Sequence, residues 1–74
     1  MSNTSSKIEL LYMINELKEH GDIKNVMKLQ KIFLESLSED RQNGKYNVDI
    51  QLDRKDKKVI SEVKTTLTKN LSGR

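Results

Sequence analysis

Asp49, Glu62 and Lys64 are the residues of this chain whose types and spacing could do chemistry. Asp49 lies in an alternating run, with Val48, Ile50 and Leu52 to one side and Asn47, Asp49 and Gln51 to the other. That alternation predicts a β-strand. A polar turn, DRKDK, follows, and then a β-branched stretch, KVISEVKTT, that predicts a second strand. Glu62 and Lys64 are two residues apart, so on a strand they share a face. Phosphodiester hydrolysis needs a hard cation, carboxylates to hold it and an oriented water. Magnesium takes oxygen ligands and keeps several waters, so one or two carboxylates beside a phosphate suffice. On this reading Asp49 and Glu62 are the metal ligands, and Lys64 orients water or stabilises charge in the transition state. The competing reading is a charged hairpin in which Glu62 and Lys64 only form ion pairs.

The stretch VDIQL, the charged turn and KKVISEVKTT resemble the motif of the PD-(D/E)XK nuclease superfamily, which includes many type II restriction endonucleases. The resemblance covers roughly residues 33–67. It implies that Asp49, Glu62 and Lys64 are catalytic, with magnesium at Asp49 and Glu62 and DNA as substrate. A preceding helix often holds a further acidic residue in that family, which points to Glu35 or Glu39. The family core continues past Glu-x-Lys with a helix and another strand, for which residues 65–74 leave little room. The resemblance therefore implies the N-terminal part of a larger enzyme, with the 74-residue chain inactive alone.

The elements ahead of this motif must position it. Residues 1–5 are polar and expected to form a frayed tail. Ser6 and Glu9 fit a capping box that opens a helix over residues 6–20. Leu10, Met13, Ile14 and Leu17 recur at helical spacing in it, widened by Ile8 and Leu11. Gly21 suits the left-handed position past its end, and His20 sits beside it as a cap residue rather than a ligand. Asp22 caps a second helix over residues 22–38. Its apolar side reads as Ile23, Val26, Met27, Phe33, Leu34 and Leu37, with Leu29 and Ile32 flanking. Lys24, Lys28 and Lys31 form a basic stripe on the other face. The short join at Gly21-Asp22 makes the helices a hairpin or a steep crossing, so helix-turn-helix DNA binding is conceivable. Asn43-Gly44 reads as a turn into a β-hairpin over residues 46–67. Ser72-Gly73 reads as a further turn.

The expected fold is thus α+β: a helix pair, then a hairpin, in one small domain that is incomplete or completed by an oligomer. Seventy-four residues bury a modest core, and 34% apolar with 4% aromatic residues make it aliphatic. A homodimer or the remainder of a larger protein would supply the missing burial. With no cysteine there is no disulfide framework or thiolate metal site, which suits a cytoplasmic setting. The N-terminus lacks a signal-peptide h-region, and no apolar run reaches membrane-spanning length. Residues 1–40 carry five Lys/Arg and seven Asp/Glu, whereas residues 41–74 carry nine and four. A basic second half favours a polyanionic partner, DNA before membrane, with Arg54, Lys55, Lys57 and Lys58 as the phosphate contacts. A small non-enzymatic DNA- or protein-binding regulator, dimeric through its strands or a Leu/Met helix face, is the alternative function.

Overall fold

A computed structural model describes residues 3–72, with side chains described up to residue 69. The fold is α+β. In chain order it runs β1 (Thr4–Ser6), α1 (Lys7–Glu19), α2 (Ile23–Asn43), β2 (Asp49–Gln51) and α3 (Arg54–Ser72). Of the expected tail, residues 1 and 2 lie outside the described residues, while Thr4–Ser6 is a strand. β1 and β2 pair antiparallel, with Thr4 opposite Gln51, Ser5 opposite Ile50 and Ser6 opposite Asp49. The ladder extends at both ends. The Lys7 amide donates to the Val48 carbonyl at 2.9 Å, and the Leu52 amide to the Asn3 carbonyl at 2.8 Å.

The first helix begins where its cap residue dictates. The Ser6 hydroxyl accepts from the Glu9 amide at 3.1 Å, as the capping pattern requires. The Glu9 carboxylate, expected to reach back to the Ser6 amide, instead meets Lys64 at 2.9 Å. Gly21, at φ 74°, ends the helix in the left-handed region that side chains avoid. Asp22 then caps α2, accepting from the Asn25 amide at 3.3 Å and from the Asn25 side chain at 2.8 Å.

α2 continues five residues beyond its expected end at residue 38. Ser38 to Gln42 are polar but compatible with a helix, so polarity alone did not stop it. Asn43-Gly44 is the stop, but as a helix terminus rather than a hairpin turn. Gly44 adopts φ 67°, its amide donates to the Arg41 carbonyl at 3.2 Å, and the Lys45 amide donates to the Asp40 carbonyl at 3.1 Å.

The hairpin over residues 46–67 is corrected. Its first strand forms as β2 but pairs with the N-terminal β1, and its second strand is the helix α3. The DRKDK turn is the start of that helix. Asp53 caps it by accepting from the Asp56 amide at 2.8 Å. Ile60, Val63 and Leu67 fall at i, i+3 and i+7, one helical face, and that face packs inward. β-branched content had suggested a strand, but propensity is a weak prior beside the burial of a coherent apolar stripe.

The core joins Leu10, Met13, Ile14 and Leu17 of α1 to Val26, Leu29 and Ile32 of α2, Ile50 of β2, and Ile60 and Val63 of α3. The α1 stripe is as expected. The α2 face is rotated from expectation: Leu29 and Ile32 are buried, while Ile23, Met27 and Leu34 are exposed. α2 carries apolar residues around most of its surface, so its partners α1 and α3 select the buried side. Ile8 and Leu11 of α1 likewise face outward.

A buried ion pair locks the three segments that meet beside the sheet. Lys7, 1% exposed, places its ammonium 2.8 Å from Asp40 Oδ2. The same ammonium donates to the Asn47 carbonyl and lies 4.7 Å from the centroid of the Tyr46 ring. Asp40 also accepts from the Asn47 amide at 3.2 Å and from its side chain at 3.3 Å. The Lys7 hydrogen bond is the main reason the Asp40 carboxyl titrates below its ordinary value. Desolvation opposes that effect, and the Asn47 donors reinforce it.

Candidate nucleic-acid interface

The three residues of the metal reading occupy two different kinds of element. Asp49 is an exposed residue of β2, alternating with the buried Ile50. Glu62 and Lys64 are exposed on α3, on either side of the buried Val63. In a helix two residues are separated by about 200° of rotation, so Glu62 and Lys64 diverge where a strand would have aligned them. Lys64 reaches Glu9 of α1. Among the described residues, no three His, Asp or Glu side chains gather so as to hold a metal ion. Glu35 and Glu39, the candidates for a further acidic ligand, are exposed on α2. The shared-face geometry that motivated magnesium at Asp49 and Glu62 is therefore corrected. His20 is the C-cap of α1, in keeping with its expected role.

Arg54, Lys55, Lys57 and Lys58, expected on the polar turn of the hairpin, lie on the first turns of α3. Arg54, Lys55 and Lys58 are exposed, and Lys57 is half-buried with its ammonium 2.7 Å from Asn3 Oδ1. A helix holds such cations at fixed spacing, where a turn would leave them to drift. α3 carries Arg54, Lys55, Lys57, Lys58, Lys64 and Lys69 against Asp56 and Glu62. The chain's positive charge is thus concentrated on one helix.

Asp56 shows how α3 meets α2. Its carboxyl titrates above the ordinary value, first because it is desolvated and then because Asp53 and Glu35 are near; Lys55 and Lys31 oppose the rise. Lys31 of α2 and Lys55 of α3 therefore act on one carboxyl, which sets Lys31 near the start of α3. Lys24, Lys28 and Lys31 are all exposed, as the sequence predicted.

A second feature lies along the other side of α3. A groove of about 510 Å³ separates β1 from α3, lined by Ser5, Leu52, Lys57, Ile60, Ser61 and Lys64 among others. The Ser5 hydroxyl is buried and has no hydrogen-bond partner among the described residues. Nothing in the sequence marked Ser5 or Lys7: both sit in a polar N-terminal stretch, and only pairing with β2 gives them a role. A third surface is apolar, where Ile8, Leu11 and Tyr12 lie exposed on one face of α1. No described helix is long and apolar enough to cross a membrane.

No family model, no curated protein and no solved structure matches the chain.

Proposed function

We propose that this chain is a small non-enzymatic DNA-binding module that meets the phosphate backbone with α3. The observation that supports the reading is the charge of that helix, six basic residues against two acidic ones, with Arg54, Lys55 and Lys58 exposed at one end. Lys31 of α2, which acts on the same Asp56 carboxyl as Lys55, widens the basic surface. A rigid helix presents its cations without further ordering cost, and each phosphate contact releases condensed counterions. The partner that we propose for the apolar face of α1 is a second copy of the chain, giving a twofold module suited to a duplex. The endonuclease reading relied on Asp49, Glu62 and Lys64 sharing a face across two strands, and it does not suit Glu62 and Lys64 on a helix.

Binding of a fluorescent duplex, followed by anisotropy as salt is raised, tests the proposal. With the three exposed cations at the start of α3, Arg54, Lys55 and Lys58, as phosphate contacts, affinity should fall by on the order of fortyfold between 50 and 200 mM salt. Replacing Lys55 and Lys58 by Gln should weaken binding and flatten that slope. A duplex affinity indifferent to salt, or to the double substitution, overturns the proposal. Magnesium-dependent nicking of the duplex in the same tube would restore the endonuclease reading.

A further inference from the structure

We infer that the groove between β1 and α3 is a binding site for a phosphate group, with Ser5, Lys57 and Lys64 as its contacts and Glu9 as a built-in competitor. The inference deepens the DNA-binding reading and rests on it for the source of the phosphate. Three observations converge. Three lysines from one helix, Lys57, Lys64 and Lys69, line the groove together with the apolar Leu52 and Ile60, so charge is offered beside an apolar wall. Ser5, 6% exposed, lines the same groove, and its buried hydroxyl has no partner among the described residues. Two of these lysines hold an oxygen: Lys57 the Asn3 amide oxygen at 2.7 Å, Lys64 the Glu9 carboxylate at 2.9 Å.

An unpartnered buried hydroxyl destabilises a fold, because its hydration has been given up without return. Replacing it by a methyl group would remove that cost. A phosphate oxygen gives this hydroxyl the acceptor it lacks, and the two ammonium groups supply charge-assisted bonds to the remaining oxygens. Lys57 and Lys64 are seven residues apart, about 10.5 Å along the helix. Their long side chains can therefore close on a group lying between them, beside Ser61.

Glu9 explains why the site is quiet in the free chain. Its carboxylate occupies the Lys64 ammonium, 2.9 Å away. Both partners are substantially exposed, at 55% for Lys64 and 45% for Glu9, so the pair is weak and readily exchanged. An entering phosphate displaces Glu9 from Lys64 without disturbing the core. The amide of Glu9 remains on Ser6, so the start of α1 is preserved.

The test is titration of the full chain with inorganic phosphate, followed by amide NMR signals, and then with a duplex and with a nucleoside monophosphate. Phosphate should shift the signals of Ser5, Ser61 and Lys64. Glu9→Gln, which frees Lys64 and retains the helix cap, should tighten phosphate by up to about fivefold. Ser5→Ala should weaken phosphate by about tenfold or more, while the melting temperature of the free chain is held or raised. That opposition separates a ligand contact from a structural serine. Lys64→Met should weaken phosphate as well. If the duplex shifts the same signals, the phosphate is that of the backbone. If only the nucleoside monophosphate does so, the site stands with a free nucleotide as its occupant. Phosphate signals confined to residues outside the groove, or unchanged affinity in both Ser5→Ala and Glu9→Gln, overturn the inference. Duplex binding through Lys55 and Lys58 with a silent groove would sink this site and leave the proposed function standing. A responsive groove in a chain that binds no duplex would do the reverse.

Discussion

Thr65 and Thr68 offer a test of α3 in which helix and strand predict opposite signs. Both are exposed, and each hydroxyl donates to the carbonyl four residues earlier, Thr65 to Ser61 at 3.1 Å and Thr68 to Lys64 at 2.9 Å. Such back-bonding compensates little for the rotamer freedom a β-branched residue loses in a helix. Thr→Ala in an exposed helix position gains up to about 0.7 kcal/mol. The double variant should therefore gain about 1 kcal/mol, which for a domain of this size raises the melting temperature by about 4–8 °C. On a strand the same pair of changes replaces favoured β-branched residues by Ala and should cost up to about 1 kcal/mol each. Ser61→Pro supplies the converse. It removes an interior helical hydrogen bond and clashes with the preceding turn, costing about 3 kcal/mol or more. A chain of this length has only about 4–11 kcal/mol of total stability, so that loss is large. Thermal unfolding by far-ultraviolet circular dichroism reads all three. A lower melting temperature in Thr65→Ala/Thr68→Ala, or a Ser61→Pro variant as stable as the parent, would refute the helical assignment and return residues 58–66 to a strand.

The remaining expectations concern caps, core, protons and metal. Ser6→Ala should cost about 1 kcal/mol by removing the acceptor for the Glu9 amide, read as a drop in denaturant midpoint. Leu17→Ala, at a fully buried position, should cost about 2–5 kcal/mol in the same assay. Asp40 is held below its ordinary value of 3.8, so its contribution is fully present above that pH and is lost as pH falls through the lowered value. Asp40→Asn should therefore shrink the loss of stability on the acid limb below about pH 3.8. Asp56 is shifted the other way. Its ionised form is disfavoured in the fold, so its contribution is present below pH 3.8 and is lost as pH rises through the raised value. Asp56→Asn should accordingly raise the melting temperature at neutral pH and change little in acid. Manganese titration should leave the amide signals of Asp49 and Glu62 without a joint response; a shared response at one manganese concentration would show that the two carboxylates do meet a metal.

The local signals in this sequence specified their structures well. Ser6 and Asp22 start helices because a side-chain oxygen is in reach of an unpaired amide, and Gly21 ends one because only glycine enters the left-handed region freely. The α1 stripe of Leu10, Met13, Ile14 and Leu17 was legible because its alternatives are polar. Residues 49–51 were legible as a strand, and the concentration of positive charge in the second half needed only counting.

What the tertiary structure decided lies wherever two local readings were nearly equal. Residues 58–66 carry both β-branched content and an i, i+3, i+7 stripe. The helix prevails because it buries Ile60 and Val63 against α1 and α2 at once. α2 is apolar on more than one side, so only the placement of its neighbours selects Leu29 and Ile32 over Met27 and Leu34. The strand partner of residues 49–51 is nonlocal: Thr4–Ser6 has no apolar pattern, and its pairing appears only when the chain ends are brought together. The site followed the same rule. Glu62 and Lys64 share a face on a strand and diverge on a helix, so the metal reading turned on one element type. Ser5 and Lys64, 59 positions apart, line one groove, and Glu9 reaches Lys64, only through the packing of β1 and α1 against α3.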